Sequence, residues 1–105
     1  MDSFEENFKL DIDNKPLTNP VGGHIISDME LCRMTDDERN KAFQEEKLGD
    51  VFDFDTNCRA MSQYHNLRMG VLRLSEYKEV INKDDNVVRE TRNKKYHELK
   101  NTKVL

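Results

Sequence analysis

Three residues in the middle of the chain have the types and spacing of metal ligands. Asp53, Asp55 and Asn57 reproduce the first three ligand positions of a calcium loop, D-x-D-x-N. The pattern then ends, because the sixth position is not Gly and Tyr64 stands where a bidentate Glu should close the site. We interpret these residues as an acidic approach to a helix that Asp55 or Thr56 caps, and we predict no metal site.

The zinc ligands that the chain offers are isolated from one another. They are Cys32, Cys58, His24 and His65. None falls in the C-x₂-C or H-x₃₋₅-H spacing of compact zinc sites. On a helix, the separation of Cys58 from His65 corresponds to about 10 Å, which is too far for a nucleophile and its base. We therefore predict buried thiols, ordinary polar histidines and no cofactor.

The remaining motifs do not indicate an enzyme. Gly22 and Gly23 precede His24 without the further glycines, or the Lys, of a phosphate-binding loop. No carboxylate pair stands in a sequence context that suggests a shielded cleft. We expect neither catalysis nor a small-molecule substrate.

The segment 89–103 carries the one basic cluster of the sequence. Its cationic residues are Arg89, Arg92, Lys94, Lys95, Lys100 and Lys103, with Tyr96 and His97 between them. Such a strip could contact the phosphates of a nucleic acid. Glu90 and Glu98 interrupt it, however, and the whole chain has a net charge of −4. We favour a solvated helix face, or a face that meets acidic residues elsewhere in the chain.

The two halves of the chain differ in charge. Residues 1–56 are strongly acidic, whereas residues 57–105 are net basic. The halves could attract one another within a monomer or head to tail between copies. The acidic half could instead meet a basic surface on another protein.

The composition predicts one small domain that gains stability from a partner. Charged residues make up 36% of the 105 positions and apolar residues 35%, so the core must be small. We expect Phe4, Phe8, Phe43, Phe52 and Phe54 to supply most of its packing. The chain has neither a secretory signal nor an apolar run of about 20 residues, which argues against a membrane protein. With only two cysteines, it fits an intracellular setting or a virion assembled inside a cell.

The longest apolar window predicts a central helix over residues 57–82. Apolar residues recur there at alternating spacings of three and four, and a second apolar group, which includes His65, falls on another face. Arg59, Asn66 and Arg73 line the narrow polar strip between the faces. We expect Gly70 to be tolerated within this helix.

The flanking segments predict an arm and three further helices. Residues 1–26 form an acidic arm with a Pro/Gly loop at 14–23; the alternation of Phe8, Leu10 and Ile12 favours a short strand, and a plain extended arm is the alternative. Capping boxes that begin at Ser27 and Thr35 predict helices at 28–34 and 36–48 within a helical domain 27–105. A basic helix follows at 87–101. The fold class is mainly α.

These features favour a non-catalytic protein that works through protein–protein contacts, with another protein or with copies of itself, as a subunit of a larger assembly such as a virion. The predicted partner-binding residues are Phe4, Phe8, Pro16, Pro20 and Val21 in the arm, and Arg59, Asn66 and Arg73 on the central helix. One alternative is an inhibitor whose acidic residues, Asp36, Asp37, Glu45 and Glu46 among them, block a nucleic-acid-binding host enzyme. A second alternative is a small regulator that binds nucleic acid through residues 89–103.

Overall fold

The computed structural model describes residues 10–104, and within that range the chain forms five helices and a two-stranded antiparallel sheet. In chain order the elements are β1 (Pro20–His24), α1 (Asp28–Leu31), α2 (Asp36–Glu45), β2 (Cys58–Ser62), α3 (Gln63–Met69), α4 (Leu74–Val80) and α5 (Asp85–Lys100). The fold is mostly helical, but the sheet makes it a small α/β domain and not a purely α one. None of these helices has both the length and the hydropathy that a bilayer span requires.

The predicted central helix over residues 57–82 is wrong, because a strand, two short helices and a tight turn occupy that window. Gly70 ends α3 with φ 55° and ψ −123°, which matches the first central position of a type II′ turn. Leu72 N donates to Met69 O across this turn (3.1 Å). A Cβ on residue 70 would also collide with the Arg92 side chain. Gly70 therefore stops the helix and is not merely tolerated within one.

The strand β1 lies in the segment predicted as a loop, and it pairs with β2 in the register Pro20↔Ser62 to His24↔Cys58. Pro20 is compatible with this position because it is the first residue of its strand. Gly23 leaves the space that the Met61 side chain fills, since a Cβ on Gly23 would overlap it. The segment predicted as an arm is thus joined, from residue 20 onward, to the segment predicted as the helical domain.

Asn57 extends the sheet by one further step, using its side chain as well as its backbone. Its Oδ1 accepts from Ile26 N (2.9 Å) and its Nδ2 donates to Ile26 O (2.8 Å), while its carbonyl accepts from Ile25 N (3.0 Å). The predicted cap at Asp55 or Thr56 is therefore wrong. The helix that follows begins later, where Ser62 Oγ accepts from His65 N (3.3 Å).

Local capping sets the other helix starts. The capping box predicted at Thr35 is confirmed, since Thr35 Oγ1 accepts from Glu38 N and Thr35 N donates to Glu38 Oε1. Ser27 caps α1, but the Glu30 carboxylate does not complete that box because other partners hold it. Asp84 caps α5 by accepting from Val87 N (3.0 Å). The helices α1 and α2 start at the predicted residues but end earlier, at Leu31 and Glu45.

The core draws on all five helices, on β2 and on the segments that precede β1 and α1. Its largest fully buried apolar side chains are Ile26, Phe43, Met61, Tyr77 and Val88. Of the five phenylalanines, Phe4 and Phe8 lie outside the described residues. Phe54 is 71% exposed, so its predicted role as a core residue is wrong. The core is small and leaves several large apolar side chains at the surface.

Candidate functional site

Of the predicted partner-binding residues within residues 10–104, Pro20, Val21 and Arg59 share the two-stranded sheet, and Pro16, Asn66 and Arg73 lie on other segments. In the arm, Phe4 and Phe8 lie outside the described range, Pro16 forms an isolated bridge with Leu10, and Pro20 and Val21 belong to β1.

The predicted polar strip does not exist as one surface, because it required the continuous helix. Arg59 lies on β2, Asn66 on α3, and Arg73 at the start of α4. Only Arg73 of the three belongs to a dense set of polar contacts, and those contacts are with other parts of the same chain.

Arg73 belongs to a buried set of charges that we call the Glu30 cluster. Its members are Glu30, Glu46, Arg73, Glu76 and Lys95. Arg73 donates to Glu30 Oε2 through Nη2 (2.6 Å) and Nε (2.9 Å), and to Glu46 Oε2 through Nη1 (3.0 Å). Lys95 Nζ donates to Glu30 Oε1 (2.7 Å) and to Glu76. The cluster ties α1 and the end of α2 to α4 and α5.

The charged groups of the Glu30 cluster stabilise one another's ionised forms. Burial by itself would raise the pKa of Glu30, but hydrogen bonds from Arg73 and Lys95 outweigh burial and lower that pKa. Burial would likewise lower the pKa of Arg73, and its carboxylate partners raise it. Acidic residues of the first half and basic residues of the second half thus neutralise one another inside this chain.

A second polar group, which we call the His65 cluster, links the loop 10–16 to α3 and α4. Its members are Asp11, Asp13, His65, Arg68 and Tyr77. His65 lies between two partners, with Nε2 2.9 Å from Asp13 Oδ2 and Nδ1 2.6 Å from Tyr77 Oη. Arg68 Nη1 donates to the same Tyr77 oxygen (3.1 Å). Asp11 Oδ1 accepts from Ile12 N and Ser62 N, which anchors the loop at the end of β2.

The His65 cluster holds its carboxylates ionised and its phenol neutral. Burial would raise the pKa of Asp13, but the hydrogen bond to His65 outweighs burial and lowers it. The pKa of Asp11 is lowered in the same way, by hydrogen bonds to Ser62 and Ile12 that exceed the effect of burial. Burial raises the pKa of Tyr77 despite its contact with Arg68. A polar cavity of about 460 Å³ borders Asp13 and His65 and is also lined by Lys15, Arg68 and Asp85.

Sequence reasoning missed this cluster, although two signals were present. His65 falls within an apolar group of the 57–82 window, which is a sign of a buried ring. Asp11 and Asp13 form a D-x-D pair, but their alternation with apolar residues predicts a strand face and not a pair of ligands. The structure places both carboxylates and the ring on one side of the loop, with donor atoms within 4.8 Å of one another.

One exposed apolar surface, which we call the Phe54 groove, lies between α1, α2 and the loop after α2. It has a volume of about 690 Å³, and its lining includes Leu31, Val51, Phe52 and Phe54. Val51 is 70% exposed and Phe54 71%. Its charged lining residues are Asp28, Asp36 and Arg39, and Arg39 is paired with Asp36 (3.0 Å). Exposed Asp50, Asp53 and Asp55 flank the phenylalanines in the chain, so the rim is acidic.

A second exposed apolar surface, which we call the Leu67 patch, lies where α3 meets α5. Tyr64 and Leu67 are 61% and 68% exposed. Its charged lining residues are Arg68, Asp85, Arg89 and Arg92, and Arg68 is paired with Asp85 (3.1 Å). Arg92 donates to the carbonyls of Leu67 and Arg68, and among residues 10–104 no carboxylate pairs with Arg89 or Arg92. This rim is basic.

Both cysteine thiols are exposed, which corrects the prediction that they are buried. Cys32 Sγ contacts Met29 O, and Cys58 Sγ contacts Phe54 O. His24 is 3.9 Å from Asp28, and it is the cross-strand partner of Cys58 with no hydrogen bond between their side chains among the described residues. The four isolated zinc ligands considered from the sequence do not assemble.

Comparisons with family models, curated proteins and solved structures found no match to this chain. The two exposed surfaces and the two buried clusters are therefore the features from which a function can be inferred.

Proposed function

We propose that the protein is a non-catalytic interaction protein that associates head to tail with further copies of itself. The observation that supports this proposal best is the opposite rim charge of two exposed apolar surfaces, the acidic Phe54 groove and the basic Leu67 patch. An apolar centre supplies the driving force for association, and complementary rims fix the orientation and the partner.

The position of the two surfaces favours a chain of copies over a closed pair. Phe54 precedes the Cys58 end of the two-stranded ladder, and Tyr64 follows its Ser62 end. A five-residue strand places those ends about 14 Å apart at 3.4 Å per residue. When the Phe54 groove of one copy meets the Leu67 patch of the next and each copy keeps its other surface free, the contact is heterologous and repeats until a ring closes or a filament grows.

The grouping of the exposed apolar side chains also supports a partner-binding role. Single exposed apolar residues are common on soluble proteins, but neighbouring ones rimmed by charge mark interaction sites. Val51 and Phe54 share one surface, and Tyr64 and Leu67 share the other.

The experiment is light scattering after size exclusion, over a range of protein concentrations, for the wild type and for the single variants Phe54→Ser and Leu67→Ser. We expect the wild type to grow with concentration and its association to weaken in about 0.5 M salt, because high salt screens the charged rims but leaves the apolar contact. Each variant alone should be monomeric. A mixture of the two should form a 1:1 dimer that grows no further, because each variant retains the surface that the other lacks.

Val104→Ser is the matched control, since Val104 is 60% exposed and lies on neither surface. It should associate like the wild type. A wild type that stays monomeric at every concentration would contradict the proposal. Variants that still self-associate, or a mixture that stays monomeric, would contradict the head-to-tail pairing.

The two alternative functions have less support. For the inhibitor, Glu46 and Glu45 lie 3.0 Å and 3.7 Å from Arg73, so two of the four carboxylates considered are partly neutralised within the chain. For the nucleic-acid regulator, Lys95 is held by the Glu30 cluster and Arg92 by two carbonyls of α3. Both alternatives stay predictions.

A further inference from the structure

We propose that Asp11, Asp13 and His65 form a binding site for one divalent transition-metal ion of the Mn²⁺ or Zn²⁺ type. Each residue offers one ligand atom, and these three atoms lie within 4.8 Å of one another. Two carboxylate oxygens and one imidazole nitrogen are a donor set that suits these ions. The proposal is independent of self-association, because none of the three residues lines the Phe54 groove or the Leu67 patch.

The loop that carries the two carboxylates is built to hold them on one side. Asp11 N donates to Lys15 O (2.8 Å), and Asn14 N donates to Asp11 O (3.0 Å). Asn14 has φ 65°, which is accessible to Asn at low cost and reverses the chain. The bridge between Leu10 and Pro16 closes the loop. Two aspartates separated by one residue therefore both reach α3.

Each of two ligands has an outer contact that orients it and still leaves a donor atom for an ion. His65 Nδ1 lies 2.6 Å from Tyr77 Oη, so the ring is fixed with Nε2 directed at Asp13. Asp11 is held through Oδ1 by two backbone N–H groups. Hydrogen-bonded second contacts of this kind are typical of ligating histidines and carboxylates.

The ion takes the place of the proton between His65 Nε2 and Asp13 Oδ2, which are 2.9 Å apart. The proton displaced from Nε2 moves to Nδ1, so the ring binds the metal through Nε2 and donates its Nδ1–H to Tyr77 Oη. The ion also balances the charge of two neighbouring carboxylates, of which Asp11 is 4% exposed and the Asp13 side chain 20% exposed. The cavity of about 460 Å³ next to Asp13 and His65 leaves room for water on the remaining coordination positions.

A second D-x-D pair in the same chain can be compared with Asp11 and Asp13. Asp53 and Asp55 have the same spacing, but both are exposed, and Asp53 accepts a hydrogen bond from Thr56 Oγ1 (2.7 Å). They are not part of a metal-ligand group with a histidine within residues 10–104. The pair at 53 and 55 therefore serves as an internal control for binding to carboxylates alone.

The test is a calorimetric titration of the full chain with MnCl₂, with Asp13→Asn and Asp55→Asn as the paired variants. Asn at position 13 keeps an oxygen for the bond to His65 and removes only the ligand charge, so the loop should stay folded. We expect one site in the wild type, affinity about tenfold or more weaker in Asp13→Asn, and no change in Asp55→Asn. Mn²⁺ avoids binding to the two exposed thiols.

Paramagnetic broadening of amide NMR signals gives a readout that does not depend on any variant. With substoichiometric Mn²⁺, the signals of Ile12, Ser62 and His65 should broaden first. No binding at millimolar Mn²⁺, equal affinity in all three proteins, or broadening centred on residues 53–55 would each overturn the proposal. If Asp13→Asn fails to fold, the wild-type broadening pattern alone decides.

Discussion

The Glu30 cluster and the His65 cluster do the same mechanical task with different chemistry. Both join the first half of the chain to the second, and both are largely buried. The Glu30 cluster uses formal charges only, with Arg73 and Lys95 surrounded by three carboxylates. The His65 cluster combines two carboxylates and one guanidinium with a histidine and a phenol, and hydrogen bonds to the backbone hold Asp11 in place. The Glu30 cluster pairs its two cations with carboxylates of the same chain, and the His65 cluster is where we propose that a metal ion binds.

The largest expected effect on stability is in the Glu30 cluster. Glu30→Gln removes the carboxylate that bridges Arg73 and Lys95, leaving two partly buried cations with fewer counter-charges. We expect a loss of about 3 kcal/mol in the free energy of unfolding, as for other broken buried ion pairs. Urea denaturation at neutral pH measures it.

Glu45→Gln is the matched control for that change. Glu45 is also near Arg73 (3.7 Å), but its side chain is 57% exposed. A pair of this kind contributes about 0.5 kcal/mol or less. Equal losses in both variants would mean that burial does not distinguish the two contacts.

A smaller effect is expected in the His65 cluster. Tyr77→Phe keeps the buried ring but removes the oxygen that contacts His65 Nδ1 and Arg68 Nη1. We expect a loss of about 1–2 kcal/mol, because two buried polar groups lose a partner. Tyr64→Phe, at a site that is 61% exposed, should stay within about 0.5 kcal/mol in the same urea measurement. A loss from Tyr77→Phe that exceeds the loss from Glu30→Gln would reverse the ranking of the two clusters.

The smallest expected effect is on the pH dependence of stability, which both clusters contribute to through their carboxylates. Folding lowers the pKa of Glu30, Asp11 and Asp13, so their stabilisation is complete above the ordinary carboxyl range of about 4 and disappears as the pH falls through the folded-state values. The melting temperature should therefore decrease as the pH is lowered from 6 to 3. Glu30→Gln and Asp13→Asn should each flatten that dependence in thermal melts. Three parallel curves would show that neither carboxyl contributes to it.

The sequence predicts those features that depend on near neighbours. The capping box at Thr35 and Glu38 joins residues three apart, and both the mostly helical character and the start of α1 follow from such local patterns. The apolar period of 57–82 does not distinguish one long helix from shorter elements around a turn. That choice depends on the Gly70 backbone and on the pairing of residues 58–62 with residues 20–24.

The sequence does not predict the two polar clusters, because their residues lie far apart along the chain. Arg73 meets Glu30 across 43 positions, Lys95 meets Glu30 across 65, and His65 meets Asp13 across 52. Charge asymmetry between the halves predicts attraction, but it does not select which residues become buried. The exposure of Phe54 is a similar case, since apolarity predicts burial and only the finished core shows that Phe54 was left outside.

The contact between Asn57 and Ile26 also has a kinetic consequence. These residues are 31 positions apart, so the sheet closes a long loop that contains α1 and α2. Closing such a loop costs entropy before any strand contact forms, which makes sheet pairing a slow, late event compared with the formation of single helices. Because that cost grows only with the logarithm of loop length, insertions near Gly49, in the exposed turn after α2, should alter the folding rate little.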